Sequence, residues 1–443
     1  MPTLKYYDAI RAMQTSVALA PTDPEPRFDL DDQIVGGFKG WLTGATSRLR
    51  DRLLLAAFWL MREAWPNPRF GRLVLVTRDA DVREVLTRPD TFGVPFGPEM
   101  TELAGGVNFV LGLDGPEHDA QNALIRAVML PSDSETIRDL SRRSSETLLA
   151  AAKGRIDVMR GFLTRVAADT CCGYFGLAPD DPDAFADYTI AMSALLFADP
   201  FGSAATRRLA LVAAARVRGV VDAAIAAHRA APDPATIVGR LVARQSGDSS
   251  LTDGKIRAIV MGLTIGFVPT NSLAAGKMLE ALLERPAAMR AAVAAAATRD
   301  RKALQDILVE AARLNPALSP GQWRYVKQDA VIAAGTPRQR ATPANSVLLV
   351  STMSALRDRR ANPDPAAFRP GRASRAADLV FGVDTHVCLG KFVALTQITE
   401  AFAALLANEA LRPSPGAAGR IAWAGPFPRH MTMDFGPAAS SAG

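Results

Sequence analysis

Cysteine is scarce in this chain. Three cysteines are spread over 443 residues, and two of them, Cys171 and Cys172, are neighbours in an apolar helical stretch. Adjacent cysteines are poor disulfide partners, so a disulfide framework is excluded and a reducing, cytoplasmic setting is expected. Long hydrophobic runs are also missing. Leu53 to Met61 is an unbroken apolar run of nine residues, too short to span a bilayer. It is expected as a buried helix, with a helix lying on a membrane surface as the other reading. The start, Met1-Pro2-Thr3-Leu4-Lys5, has no apolar signal-peptide core. Charge of one sign is not concentrated. The net charge is +6, and the basic residues (Arg48, Arg50, Arg52; Arg142, Arg143; Arg357, Arg359, Arg360) are scattered with little aromatic interleaving. That argues against a nucleic-acid surface. A basic patch facing an acidic redox protein and a merely solvated surface remain equally open. One local absence is sharper: no Asp or Glu occurs between Asp253 and Glu280.

What is present suits a single large globular unit. Hydrophobic residues make up 49% and charged residues 22%, ordinary values for a water-soluble core. No repeat of fixed period is visible. Residues 1–50 are punctuated by Pro and Gly. Arg72 to Thr77 reads as a strand, followed by a helix from Asp79 to about Leu86. From about 116 to 300 the apolar period stays near 3.6, with loops such as Ala178-Pro179-Asp180-Asp181-Pro182 between segments. A helix over 302–314 precedes strand-like pieces at 322–325, 330–333 and 346–350. A loop rich in Pro and Arg fills 357–376, a helix ends near Asn408, and a strand pair lies near 420–435. The fold class expected is mainly α with a small β-rich lobe (about 66–80, 320–352 and 420–435), one domain over 1–435, and a disordered tail at 436–443.

The most constrained local pattern is Phe381-Gly382-Val383-Asp384-Thr385-His386-Val387-Cys388-Leu389-Gly390, followed at once by an apolar helical run. A cysteine just before a helix start is favoured as a thiolate, because main-chain N–H groups and the positive helix end face it. Gly390 lets the backbone come close to the sulfur and to a flat ring. Phe381 can cover the sulfur, and His386 can reach a carboxylate on such a ring.

This loop resembles the cysteine loop of the cytochrome P-450 family, and the order of elements resembles that family over almost the whole chain. The resemblance implies haem b with Cys388 as axial ligand to the iron. A thiolate there favours O–O bond cleavage. One departure is Asp384, where the family usually has Gly in a tight turn. Asp tolerates a positive φ better than most residues, so the turn is expected to survive.

Three further constellations follow from the resemblance. Glu310-Ala311-Ala312-Arg313 sets Glu and Arg on one helix face, matching the family's Glu-x-x-Arg motif. Arg372, in Phe368-Arg369-Pro370-Gly371-Arg372, is expected to complete a buried network with them. His118, after Asp114-Gly115-Pro116-Glu117, and Arg324 match haem-propionate ligands, with His386 completing a cationic set. The family usually adds an Arg four residues after the His. Here that position is Asn122, and Arg126 is the candidate substitute. Gly262 to Ser272 matches the helix crossing the distal haem face, which in most members carries an acid followed by an alcohol. Counting from Gly266 puts Val268-Pro269 at that pair, and counting back from Pro286 puts Pro269-Thr270 there. Neither register contains a carboxylate, and Pro269 is expected to kink the helix.

The resemblance implies a haem-thiolate monooxygenase acting on an apolar substrate, with electrons from a separate ferredoxin or flavodoxin-type partner. The missing acid keeps open a second reading, a peroxygenase or hydroperoxide isomerase fed by hydrogen peroxide or an organic hydroperoxide. A third is a non-catalytic haem sensor. Pocket candidates are Phe92, Val94, Phe96, Phe267, Val268, Leu318, Ser319 and Phe427, a set with few charges.

Overall fold

The helix Asp253–Leu283 is the axis of the molecule, and it is buried along most of its length. The Thr252 hydroxyl caps its start by accepting the Lys255 N–H. It is long and apolar enough to cross a membrane by length and composition, but 83% of its most apolar window is buried inside the protein. Its hydrophobicity is therefore that of a core helix packed on all sides. Pro182–Ser193, Ala204–Ala230, Arg165–Phe175 and Arg301–Leu314 pack around it. The computed structural model describes residues 4–15, 30, 47–372 and 378–436. Most of the Pro- and Gly-punctuated start, part of the 357–376 loop and the tail from 437 onward lie outside them.

The β-rich lobe sits to one side. Its main sheet joins Arg69–Phe70, Leu73–Val76, Val347–Val350, Gln322–Val326 and Phe92–Gly93 in that spatial order. Leu73–Val76 and Val347–Val350 run parallel, and the other pairs are antiparallel. The Val347–Val350 strand is buried at every position, as a central strand covered on both faces should be. Ala330–Ile332 and Arg340–Thr342 form a separate hairpin. The helix Asp79–Leu86 matches its expected bounds.

The closing β segment is richer than expected. Ala422–Ala424 and Phe427–His430 form a hairpin. Thr432–Asp434 pairs instead with Arg155–Asp157 and Arg412–Pro413. Arg155–Asp157 lies inside the stretch that reads as helix, because three residues carry no period of their own.

The apolar run Leu53–Met61 overturns its expected burial. It lies in the helix Ser47–Ala64, whose inward face is Phe58, packed on Leu349 and Met353. Leu53, Trp59 and Leu60 face outward, at 61%, 56% and 58% exposure. A run that is apolar on every side of a helix but packs on one side only must leave the rest uncovered.

Candidate functional site

The cysteine loop closes on itself. The Cys388 N–H donates to the Phe381 carbonyl at 2.8 Å, and the Val387 N–H donates to Asp384 at 3.0 Å. Between them Asp384–His386 makes a single 3-10 turn. Asp384 adopts φ +59° and Gly382 φ +78°, both left-handed. Asp384 thus takes the strained backbone directly, as a short polar side chain can. The helix Lys391–Leu406 begins straight after, with Gly390 at its cap.

Cys388 has exposed surface, and it lines a large cavity. Burial nevertheless dominates its chemistry and pushes the thiol pKa up, opposed by the Gly390 N–H and by Lys391. The two facts agree because the exposure is into the cavity. Cys171 and Cys172 line no part of it. Cys171 is fully buried in the helical core, and Cys172 packs against that core.

The same cavity brings His118, Arg324, His386, Phe381 and Gly390 together with Cys388. His118 and His386 meet edge to face, their ring centroids 4.6 Å apart. Arg324 is 3% exposed, and its hydrogen bonds go to neutral groups, the Trp323 carbonyl at 2.8 Å and Gln322 Oε1 at 3.2 Å. Burial pushes its pKa down to about 10, against the pull of Asp114. Burial likewise lowers His386, opposed by its contact with Asp114. His386 Nε2 and Asp114 Oδ1 lie 3.4 Å apart and lack hydrogen-bond partners. A buried guanidinium with only neutral hydrogen-bond partners, beside two imidazoles, is what an anionic group fits. The donor set therefore suits the two carboxylates of haem. Arg126 does not join it. It is solvent-exposed and donates Nε to Asn122 Oδ1 at 2.7 Å, while Asn122 reaches the cavity.

Across the cavity, the long helix contributes Gly262, Leu263, Gly266, Phe267, Thr270 and Asn271. Thr270 faces the cavity and donates its hydroxyl to the Gly266 carbonyl one turn back. Val268 and Pro269 are buried on the other flank and touch no part of it. The expectation that Val268 lines the pocket is thus corrected, since residues one and two positions before Thr270 rotate away from its face. Phe92 is corrected as well. Its strand pairs with Val326, and the ring is buried in the core of the β lobe. Val94, Phe96, Leu318, Ser319 and Phe427 do line the cavity. Sequence reading missed Asn271, whose Nδ2 donates to Gln397 Oε1 at 2.9 Å and ties the long helix to the helix after Cys388. Its lack of charge left no signal.

Behind the cysteine loop, Glu310 receives Arg313 Nε at 2.8 Å and Nη2 at 2.9 Å. Arg372 Nε reaches the same carboxylate at 2.9 Å, and the Arg369 N–H adds another donor at 2.9 Å. Arg313 also bonds the carbonyls of Leu356, Pro365 and Ala367. The network pins the Pro- and Arg-rich loop to the helix Arg301–Leu314.

The cytochrome P450 family model matches residues 199–419. Erythromycin C-12 hydroxylase of Saccharopolyspora erythraea is 28% identical over 341 residues, covering 75% of this chain and 81% of that protein. The chain belongs to the cytochrome P450 family. Nocardicin C N-oxygenase of Nocardia uniformis subsp. tsuyamanensis is 26% identical over 344 residues, covering 75% of this P450 and 81% of the relative. Among solved structures, CalO2 superposes with a TM-score of 0.74 at 22% identity, covering 89% of this chain and 98% of that one. A mutant of P450 EryK in complex with erythromycin B gives a TM-score of 0.72 at 24% identity, covering 89% and 99%. As a family member, this P450 is an oxidoreductase that holds haem b through a cysteine thiolate.

Proposed function

We propose that this P450 inserts one oxygen atom into a neutral, apolar organic substrate, with Cys388 as the haem ligand and a separate ferredoxin-type protein as electron donor. The observation that carries the proposal is the make-up of the cavity. Arg324 is the only Asp, Glu, Lys or Arg among its described lining residues, and it sits with His118 and His386 in the carboxylate cradle. Most of the rest is aromatic and aliphatic, and its remaining polar side chains, Thr270, Asn271 and Asn122 among them, are uncharged. Such a lining selects shape and low polarity.

Haem bound there supplies the activation of dioxygen; the overall reaction consumes two electrons and two protons and releases one water. The chain's own part is to hold the thiolate, exclude water and position proton donors. Thr270 is the hydroxyl nearest in register to that task. With no carboxylate in its stretch of helix, proton supply falls to Thr270 and ordered water.

The lining also bears on the peroxide-driven reading. A substrate carboxylate acting as acid–base needs a cation to anchor it, and among the described lining residues no Lys or Arg stands outside the cradle. The test is product formation from a panel of neutral polycyclic compounds and fatty acids, run with hydrogen peroxide and with a surrogate ferredoxin system. Turnover of neutral compounds with the ferredoxin system supports the proposal. Efficient turnover only with peroxide overturns it. A chain that merely senses or carries haem gives no substrate-induced spin-state change.

A further inference from the structure

The N-terminal segment is tied into the wall of the cavity although it lies far away in sequence. Tyr6, first residue of the helix Tyr6–Thr15, is fully buried. Its ring packs edge-on against Phe96 at 6.1 Å and tilted over Trp323 at 4.8 Å between centroids. Both partners line the cavity. Phe96 in turn packs edge-on against Phe197 at 5.6 Å, a third lining residue. Tyr6 thus supports a ring of aromatics drawn from three separate parts of the chain.

Lys5 holds that support in place. Its ammonium is nearly buried, at 9% side-chain exposure, and lies 3.4 Å from Glu99 Oε1, itself 7% exposed. It also donates to the Leu195 carbonyl, and the Lys5 main-chain N–H donates to Pro200 at 3.0 Å. Leu195 belongs to the π-helical turn Ala194–Ala198 that carries Phe197, and Pro200 lies in the connection to the helix Ala204–Ala230. Glu99 is on the helix Gly97–Leu103 that follows Phe96. The second Glu99 oxygen has no hydrogen-bond partner, so Lys5 is the charge this buried carboxylate faces most directly. One side chain therefore bridges two walls that must separate if the cavity opens between them. Arg207 with Glu102 makes a second, more exposed staple between the same walls.

We propose that the segment from Lys5 to Tyr6 is a latch behind the walls of the substrate chamber, and that Lys5 is the positioning residue that sets how fast ligands enter and leave. The proposal rests on the reading of this cavity as the ligand site. A buried ion pair orients well but resists rearrangement, since separating it strands a charge. Opening then requires Lys5, the Leu195 turn and the Glu99 helix to part together, a gate of the kind that limits exchange in other lidded sites.

The test is stopped-flow binding and release of a haem-ligating azole by the haem-loaded enzyme, comparing parent, Lys5→Met and Lys5→Met/Glu99→Met. The double variant leaves no orphan charge, so it keeps the test valid if Lys5→Met alone fails to take up haem. The expected result is a rise of about tenfold in both association and dissociation rates, with Kd nearly unchanged. A substrate released slowly relative to turnover should show a lower KM with kcat little changed, because KM is then set by the association rate. Unchanged rates in variants with an intact ferrous–carbonyl spectrum overturn the proposal. So does a weaker Kd that comes from dissociation alone, which would mark a lost contact and not a gate. Failure of the parent to bind azole at all would instead count against the reading of the cavity.

Discussion

Glu310 and Arg372 are joined by a 2.9 Å hydrogen bond in a buried network that also holds Arg313. Burial by itself would raise the Glu310 pKa, but Arg313, the Arg369 N–H and Arg372 together bring it below its ordinary value of 4.5. A depressed folded-state pKa contributes stability that is present above the unfolded value and is lost as pH falls through the folded one. The parent should therefore lose stability as pH drops below about 4.5, part of it through this group. Glu310→Gln should show a shallower loss over the same range in denaturant titrations. An identical slope would mean that the network does not titrate on unfolding.

At neutral pH, Glu310→Ala strands two arginines among buried neighbours. The expected cost is roughly 3–5 kcal/mol, enough to impair haem uptake. Thermal unfolding and haem content of the purified protein measure it. A variant that melts like the parent would show the network to be dispensable.

Cys388→Ala should abolish the thiolate-type spectrum of the ferrous–carbonyl complex while leaving helix content intact. Spectra of the reduced, carbonylated protein decide this directly. Retention of the thiolate signature would remove Cys388 from its role.

Thr270→Ala removes the hydroxyl that now donates to the Gly266 carbonyl and faces the cavity. With no carboxylate among the described lining residues, product formed per electron pair should fall severalfold, with the balance appearing as peroxide. Assaying product, reductant and peroxide together checks the ratio.

Gly321 lines the cavity just before the strand Gln322–Val326, and a Cβ there would lie 2.1 Å from the Val350 carbonyl oxygen. Main chain cannot yield as a side chain can, so Gly321→Ala should cost about 1–3 kcal/mol. It should also disturb Arg324, three residues on in the same segment. Calorimetry and azole affinity report the two effects.

Much of the site was legible because its chemistry is contiguous. A thiolate beside a helix start, a turn with positive φ and a shielding aromatic must follow one another within a single loop, so Phe381 to Gly390 carries its meaning in order. The Glu310–Arg313 pair was legible for the same local reason, and Arg372 followed by resemblance. Val268 and Phe92 failed for a different one. Which side of a helix that is apolar all round faces a cavity is decided by packing, and Phe92 was claimed by strand pairing with Val326. Lys5 and Tyr6 gave no signal, since Lys5 meets Leu195 across 190 positions of sequence. The outward apolar face of Ser47–Ala64 was misread because an apolar run says nothing about how many neighbours surround it.

Arg324 has a consequence for assembly. Its guanidinium is held in the interior by neutral oxygens from Trp323 and Gln322. An anion delivered to it stabilises the folded chain and not the unfolded one. If Arg324 receives a haem carboxylate, cofactor capture and folding would be thermodynamically linked, and the yield of native protein during biosynthesis should rise with the supply of haem.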